Sequence, residues 1–354
     1  MRPAFSASRR QLLLAGTGGL ALLAAGSLVH TRNAAPRGLH VLQGATMASS
    51  WSVKLHAPRL DAGGLAEAKT AIEATLEAVV ARMSTFDPQS ELMRFNRGAA
   101  GRPVPVSGDL AQVLAKARAV SAASNGAFDV TIAPVVDAWG FGPAADRRRP
   151  AADDLARARS AVGWQALEID ARAGTASRLH PAVSVDLSGI AQGYGADRVA
   201  AALDRLGFTD YLVDICGEIR TRGLNAQRQP WRLGIERPDA TPRRAHRVVA
   251  LSGEALATSG DYRIYFEQDG VRYHHEMDPR TAAPARHALA SVSVVGTDAA
   301  AADAWSTALF VAGPERGYAL ALANGLPACF IERAATGFVE RATPAFEALG
   351  SWRA

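Results

Sequence analysis

"VDLSGIAQGYGADRV", residues Val185 to Val199, reads as the end of a buried strand, a glycine-dotted turn and the first turns of a helix. Gly189, Gly193 and Gly195 let a backbone approach a ligand closely, and a helix N-terminus presents unpaired N–H groups that suit an anion. Neither specific phosphate fingerprint is present. There is no G-x-x-x-x-G-K-[ST], and no G-x-G-x-x-G followed by an acidic residue about 20 positions on. The stretch alone leaves two readings open, a tight strand-to-helix connection and a binding turn.

The N-terminus narrows the choice. Adjacent Arg9 and Arg10 precede an apolar run from Leu12 to Val29. The pattern looks like a twin-arginine export signal, and its interspersed glycines and serines make a weak membrane span. No clean A-x-A cleavage site follows, so an uncleaved inner-membrane anchor stays open. The absence of cysteine here excludes lipidation at this end. Residues 1–35 are therefore read as a signal or anchor and 39–354 as one catalytic domain, exported to the periplasm. Residues 1–35 hold four arginines and no acid, so the formal charge falls from +5 to +1 without them. That balance gives no support to nucleic-acid binding. Cys216 and Cys329 would sit in an oxidising compartment, and the sequence leaves their pairing open.

No linker, repeat or low-complexity tract divides the remaining chain. Leu65, Ile72, Leu76, Val80 and Met83 have the spacing of an amphipathic helix over Leu65 to Met83, and Leu110 to Val120 repeats the pattern until Asn125-Gly126. Strands are expected at Tyr211 to Cys216, Trp231 to Glu236, Arg247 to Leu251 and Ser291 to Val295. Ile264 to Phe266 and Val271 to His275 flank Gln268-Asp269-Gly270 as a hairpin. Helices and hairpins mix without regular β-α alternation, which predicts an α+β fold, a single large domain of mixed helices and antiparallel sheets.

Four polar or glycine-rich clusters punctuate this scaffold: "MSTFDPQSELMRFNR", "GAFDVTIAPVVDAWGFGP", the opening stretch with Asp186, and "TSGDYRIYFEQDGVRYHHEMDPRTAAP" with "DAAAADAWSTALFVAG". Singly, each has a structural reading: Asp87-Pro88 and Asp278-Pro279 start turns, and Asp303 to Thr307 is the wet stripe of a helix. Asp303, Ser306 and Thr307 share one helical face. A carboxylate with hydroxyls, joined by a backbone carbonyl from a glycine turn, suits Mg²⁺ better than zinc. His274-His275, lacking a third ligand at zinc spacing, is better placed for proton transfer.

In this order the clusters resemble the FAD:protein FMN transferases, the ApbE family, from about Gly44 to Glu332. The strings that carry the likeness are "GATM", "MSTFDPQSELMRFN", "FDVTIAPVVDAWGFGP", "VDLSGIAQGYGADRV", "GEIRTRG", "TSGDY", "HHEMDPRT" and "ADAWSTALFVAG". The resemblance implies a T-fold-like domain that takes FAD as substrate, cleaves its pyrophosphate with Mg²⁺, and esterifies FMN to a threonine or serine of a partner. That partner would be a flavoprotein subunit of a membrane redox complex. It further implies that Met47, Phe86, Ala127, Phe128, Asp129, Asp186, Gln192 and Met277 line the FAD pocket. The metal would be held by Gly189, Asp303, Ser306 and Thr307, and His275, in H-x-x-D-P-x-T, would act in transfer.

The chain departs from the family pattern at three places. Gln192 stands where lysine or glutamate is frequent, Cys216 replaces the first glycine of a G-G-E pair, and Ala282 replaces the glycine after D-P-R-T. Two other activities share the same residues: hydrolysis of FAD to FMN and AMP with water as acceptor, and non-catalytic flavin binding for a redox complex. The retained metal and histidine positions argue against the second.

Overall fold

The computed structural model describes residues 38–239 and 243–353. The twin-arginine pair and its apolar run lie outside the described residues. Among the described residues no helix is long and apolar enough to cross a membrane.

An eight-stranded antiparallel sheet organises the domain, and its strands are neighbours in space in the order they occur in the chain. They are β1 (Leu39–Thr46), β2 (Ser49–His56), β3 (Tyr211–Ile215), β4 (Glu218–Arg222), β5 (Ala255–Gly260), β6 (Leu289–Gly296), β7 (Ala328–Arg333) and β8 (Phe338–Ala342). In such a meander successive connections alternate between the two ends of the sheet. The β1–β2, β3–β4 and β5–β6 connections therefore share one edge, and this edge carries Met47, Cys216 and His275.

Four helices matter for the site: α1 (Ala62–Met83), α2 (Gly108–Ala123), α3 (Ala191–Arg205) and α4 (Ala299–Ala312). The first two fall where the apolar spacing put them, and Asp61 and Ser107 cap their N-termini. Helices cover one face of the sheet, where Ile72, Leu76, Val199 and Leu203 meet Val53, Tyr211 and Val213. The other face buries Leu212, Leu256, Cys329 and Ile331 against the Trp231–Glu236 and Ala245–Leu251 strands. Alternate residues of β3 and β7 thus serve opposite cores, as the period of two requires. The α+β class with antiparallel sheets stands as expected.

Three local expectations differ from the structure. Val185 to Leu187 is not a strand, because its backbone is satisfied elsewhere. The Asn96 side-chain amide both accepts from Val185 N and donates to Val185 O, at 2.9 and 2.8 Å, and Asp186 N donates to Val130 O at 2.7 Å. The β3 strand stops at Ile215, since Cys216 has φ +59° and turns the chain. The hairpin loop has two residues rather than three: Gln268 pairs with Val271, and Asp269 and Gly270 take φ +54° and +73°, the pairing a two-residue I′ turn demands. Cys216 and Cys329 are both free thiols.

Candidate active site

The glycines of the opening stretch do three different things. Gly193 and Gly195 lie inside α3, and only Gly189 is in the turn. A Cβ on Gly193 would sit 2.3 Å from the Ala299 carbonyl oxygen, so this glycine lets the first turns of α3 and α4 touch. At Gly195 a Cβ would meet only ordinary contacts, with Met47 Cε nearest at 3.5 Å. At Gly189 it would lie 3.2 Å from both Thr307 Oγ1 and Phe128 Cε2. The turn and the α4 hydroxyl are therefore side by side.

The two helices cap each other. Gly193 N near the start of α3 donates to Asp303 Oδ2 of α4 at 3.0 Å, while Ala299 N and Ala300 N of α4 donate to the Asp197 carboxylate of α3 at 2.9 and 3.0 Å. Each carboxylate satisfies N–H groups that its partner helix leaves free and sits at the positive end of the dipole. The anion at the α3 N-terminus is thus Asp303, 5% exposed. Burial nevertheless raises its acid to about 7, against the Gly193 N–H that lowers it, and Asp197 adds to the rise. No basic side chain pairs with Asp303 among the described residues.

A directed chain of hydroxyls fixes Thr307. Ser306 Oγ donates to the Asp303 carbonyl at 2.9 Å, and Ser259 Oγ lies 2.9 Å from both Ser306 Oγ and Thr307 Oγ1. Each hydroxyl carries one proton, so the three bonds have one consistent direction: Thr307 donates to Ser259, Ser259 to Ser306, and Ser306 to the carbonyl. Thr307 Oγ1 is left with both lone pairs. Ser306, fully buried, has its proton and one of its two lone pairs committed, so it also supports Thr307. Ser259 was not among the expected site residues, although "TSGDY" contains it.

The donors that remain, the Asp303 carboxylate, Thr307 Oγ1 and the Gly189 turn, are all oxygen and fit a hard cation such as Mg²⁺. Among the described residues no group of three or more His, Cys, Asp or Glu side chains converges as a metal site. A cation here would need this mixed set.

The two histidines separate cleanly. His274 is buried, with Nε2 2.8 Å from the Ala285 carbonyl and its ring edge-on to Phe310. His275 keeps a third of its side chain exposed, and its Nδ1 lies 3.2 Å from the Ile264 carbonyl. That carbonyl accepts only from a protonated Nδ1, leaving Nε2 as the basic nitrogen, 3.5 Å from Glu276 Oε1. Burial, then the neighbouring His274, lowers the His275 imidazole to about 4, so it is neutral at physiological pH. Glu276 was not among the expected site residues. Burial first, then the charges of Asp303 and Asp261, lift its carboxyl to about 8.

The expected flavin-lining residues fall into two groups. Met47 and Ala48 form the whole β1–β2 turn with φ +47° and +57°, a strained choice where asparagine and glycine are usual. Phe86 is 63% exposed, unusual for so large an apolar side chain, in a loop whose Ser84 hydroxyl accepts from Phe86 N and Asp87 N. Gln192, in the first turn of α3, has no side-chain hydrogen bond among the described residues. Asp186 is 8% exposed and accepts from Ser188 N at 2.7 Å, and burial raises its acid. Ala127, Phe128 and Met277 are buried, each in a different cluster of the apolar core.

Asp129 is different. Its carboxylate accepts from Thr131 N, Thr131 Oγ1 and Trp164 N at 2.8, 2.6 and 2.9 Å, which commits it to bracing its own loop. Trp139 Nε1 donates to the Ala282 carbonyl at 2.9 Å, tying the second cluster to the turn after His275. Asp278 clasps Arg280 and shapes that turn.

The chain matches the model of the ApbE family over residues 47–330. It is 41% identical over 317 residues to the FAD:protein FMN transferase of Haemophilus influenzae, covering 87% of this chain and 90% of that protein. With the Vibrio cholerae FAD:protein FMN transferase it shares 40% over 310 residues, covering 86% and 91%. Among solved structures, the flavin transferase ApbE from Vibrio cholerae superposes with a TM-score of 0.79 at 37% identity, over 88% of this chain and 99% of that one. The apo flavinyl transferase ApbE of Pseudomonas stutzeri gives 0.79 at 38% identity, over 88% and 96%.

Proposed function

The chain belongs to the ApbE family, and on that premise we propose how it works as an FAD:protein FMN transferase, moving FMN from FAD onto a threonine or serine hydroxyl of a partner flavoprotein and releasing AMP. The observation that carries the mechanism is the meeting of the Gly189 turn with Thr307, whose lone pairs the Ser259–Ser306 chain leaves free. Asp303, Thr307 Oγ1 and the Gly189 carbonyl would hold Mg²⁺, which when bound neutralises the FAD diphosphate and eases departure of AMP. Met47, Phe86, Ala127, Phe128, Asp186, Gln192 and Met277 line the flavin nucleotide, and Asp129 keeps the loop that carries Ala127 and Phe128 in shape.

His275 takes the proton of the acceptor hydroxyl at Nε2 as that oxygen forms its bond to the FMN phosphorus and the bond to AMP breaks. Its low proton affinity keeps it in the basic form, and its exposed third leaves it reachable from a second protein. Glu276 Oε1, 3.5 Å from the same nitrogen, stabilises the imidazolium once its own carboxyl ionises, toward pH 8. We further propose export by the twin-arginine route, with a periplasmic acceptor belonging to a membrane redox complex. Incubating the purified protein with FAD, Mg²⁺ and flavoprotein subunits, then weighing the products, tests the reading. The expected product is an FMN-modified subunit with stoichiometric AMP. Free FMN with AMP would replace transfer by hydrolysis, and intact FAD would remove catalysis altogether.

A further inference from the structure

Glu218 opens β4, directly after the tight turn at Cys216 and Gly217, and is 6% exposed. The β4–β5 register pairs Arg220 with Ala255 and Ile219 with Leu256, so continuing it sets Glu218 beside the stretch that leads to Ser259. The continued register puts Glu218 opposite Ala257, on the face that also carries Ser259, the hydroxyl that orients Thr307. Glu218 Oε2 has no hydrogen-bond partner among the described residues. A buried carboxylate oxygen without a partner is costly, and no lysine or arginine pairs with Glu218 among the described residues. Burial without a partner pushes its acid well up. A cation would supply the counter-charge that the protein withholds.

We propose that Glu218 is the second carboxylate of the cation site, its orphaned Oε2 turned to the ion that Asp303 and Thr307 hold. The proposal rests on the cation site described above and adds to it a ligand from the sheet, where the other donors come from α4 and the glycine turn.

Manganese(II) is the probe, because its free and bound forms are distinguished by electron paramagnetic resonance and Mg²⁺ competes for the same oxygen ligands. Wild type, Glu218→Gln and Asp303→Asn are titrated with Mn²⁺ near pH 8, and their melting temperatures are measured in EDTA. Glu218→Gln is expected to weaken Mn²⁺ binding about tenfold or more, while melting in EDTA at or above the wild-type temperature because an unpartnered buried carboxylate is gone. Binding within about threefold of wild type, or a lower metal-free melting temperature with unchanged binding, assigns Glu218 a purely structural role and overturns the proposal. Should Glu218→Gln fail to fold, Glu218→Asp keeps the charge but draws it back by one methylene, and the same affinity criterion decides. If wild type binds no Mn²⁺, the cation site itself fails. If Asp303→Asn abolishes binding and Glu218→Gln does not, only the present inference fails.

Discussion

At Ala282 the backbone takes φ +54°, and the residue is almost wholly buried at 1% exposure. Glycine reaches this region without the steric cost that a Cβ brings. Ala282→Gly should therefore raise the melting temperature by a few degrees, about 0.5–1 kcal/mol after the larger entropy of the unfolded glycine chain is subtracted. A drop on calorimetry would show that the Ala282 methyl packs more than it strains. Cys216, the other residue standing where the family pattern has glycine, has φ +59°, so both of these replacements fall where the backbone favours glycine. The sequence exposes such substitutions but not their torsion angles. His275 makes the second residue-level test. His275→Asn should keep FAD affinity within a few-fold, while single-turnover transfer falls about 10² or more, since a general base acts mainly in the transition state. Full transfer by a folded variant would remove His275 from the mechanism.

Between elements, the crossed capping of α3 and α4 holds the site in register. Asp197→Ala leaves two N–H groups of α4 without their acceptor and should destabilise the protein by about 1 kcal/mol, and it should also displace Thr307 enough to weaken Mg²⁺-dependent turnover. Asp197→Asn, which still accepts a hydrogen bond, should recover most of the stability. Equal melting of the two variants would deny the cap its role. Long amphipathic helices, the two paired strands from Trp231 to Leu251 and the Asp269-Gly270 hairpin were legible because periodicity and turn chemistry are local. The opening stretch was only half legible. Its helix and turn are there, but its expected strand is replaced by pairing with Asn96, a residue 89 positions away. Similarly, Asp303, Thr307 and His275 could be chosen from the sequence, whereas Ser259, Asp197 and Glu276 gain their roles from contacts that no spacing announces.

For the whole molecule, several carboxyls are buried around one spot, and their protons couple folding to pH. Burial lifts the acids of Asp303 and Glu276 from the ordinary carboxylate range to about 7 and about 8. A raised carboxyl binds its proton more tightly in the folded state, so the stability it contributes is present below pH 4 and is lost as pH rises through about 7 to 8. Mg²⁺ needs the ionised form. The increase in melting temperature caused by Mg²⁺ should thus grow from pH 5 to pH 8.5, and binding should release protons. A Mg²⁺ increment independent of pH would mean that the ion binds away from these groups.

The alternation of connections along the meander also divides the molecule into a working rim and a free one. The β4–β5 connection emerges at the end away from Met47, Cys216 and His275, and its loop is organised by Asn225, whose side chain accepts from Gln227 N and Gln229 N and donates to the Pro230 carbonyl. An epitope tag spliced between Gln227 and Arg228, both exposed, should leave FMN transfer near the parental rate. The same tag between Asp269 and Gly270 would lengthen the hairpin that leads into His275 and should slow transfer with little change in FAD affinity. Comparing the two insertions on one acceptor gives the rim a practical meaning. The Gln227 end is where a label, a surface tether or a fused domain can be attached, and the opposite end must be kept clear for the incoming protein.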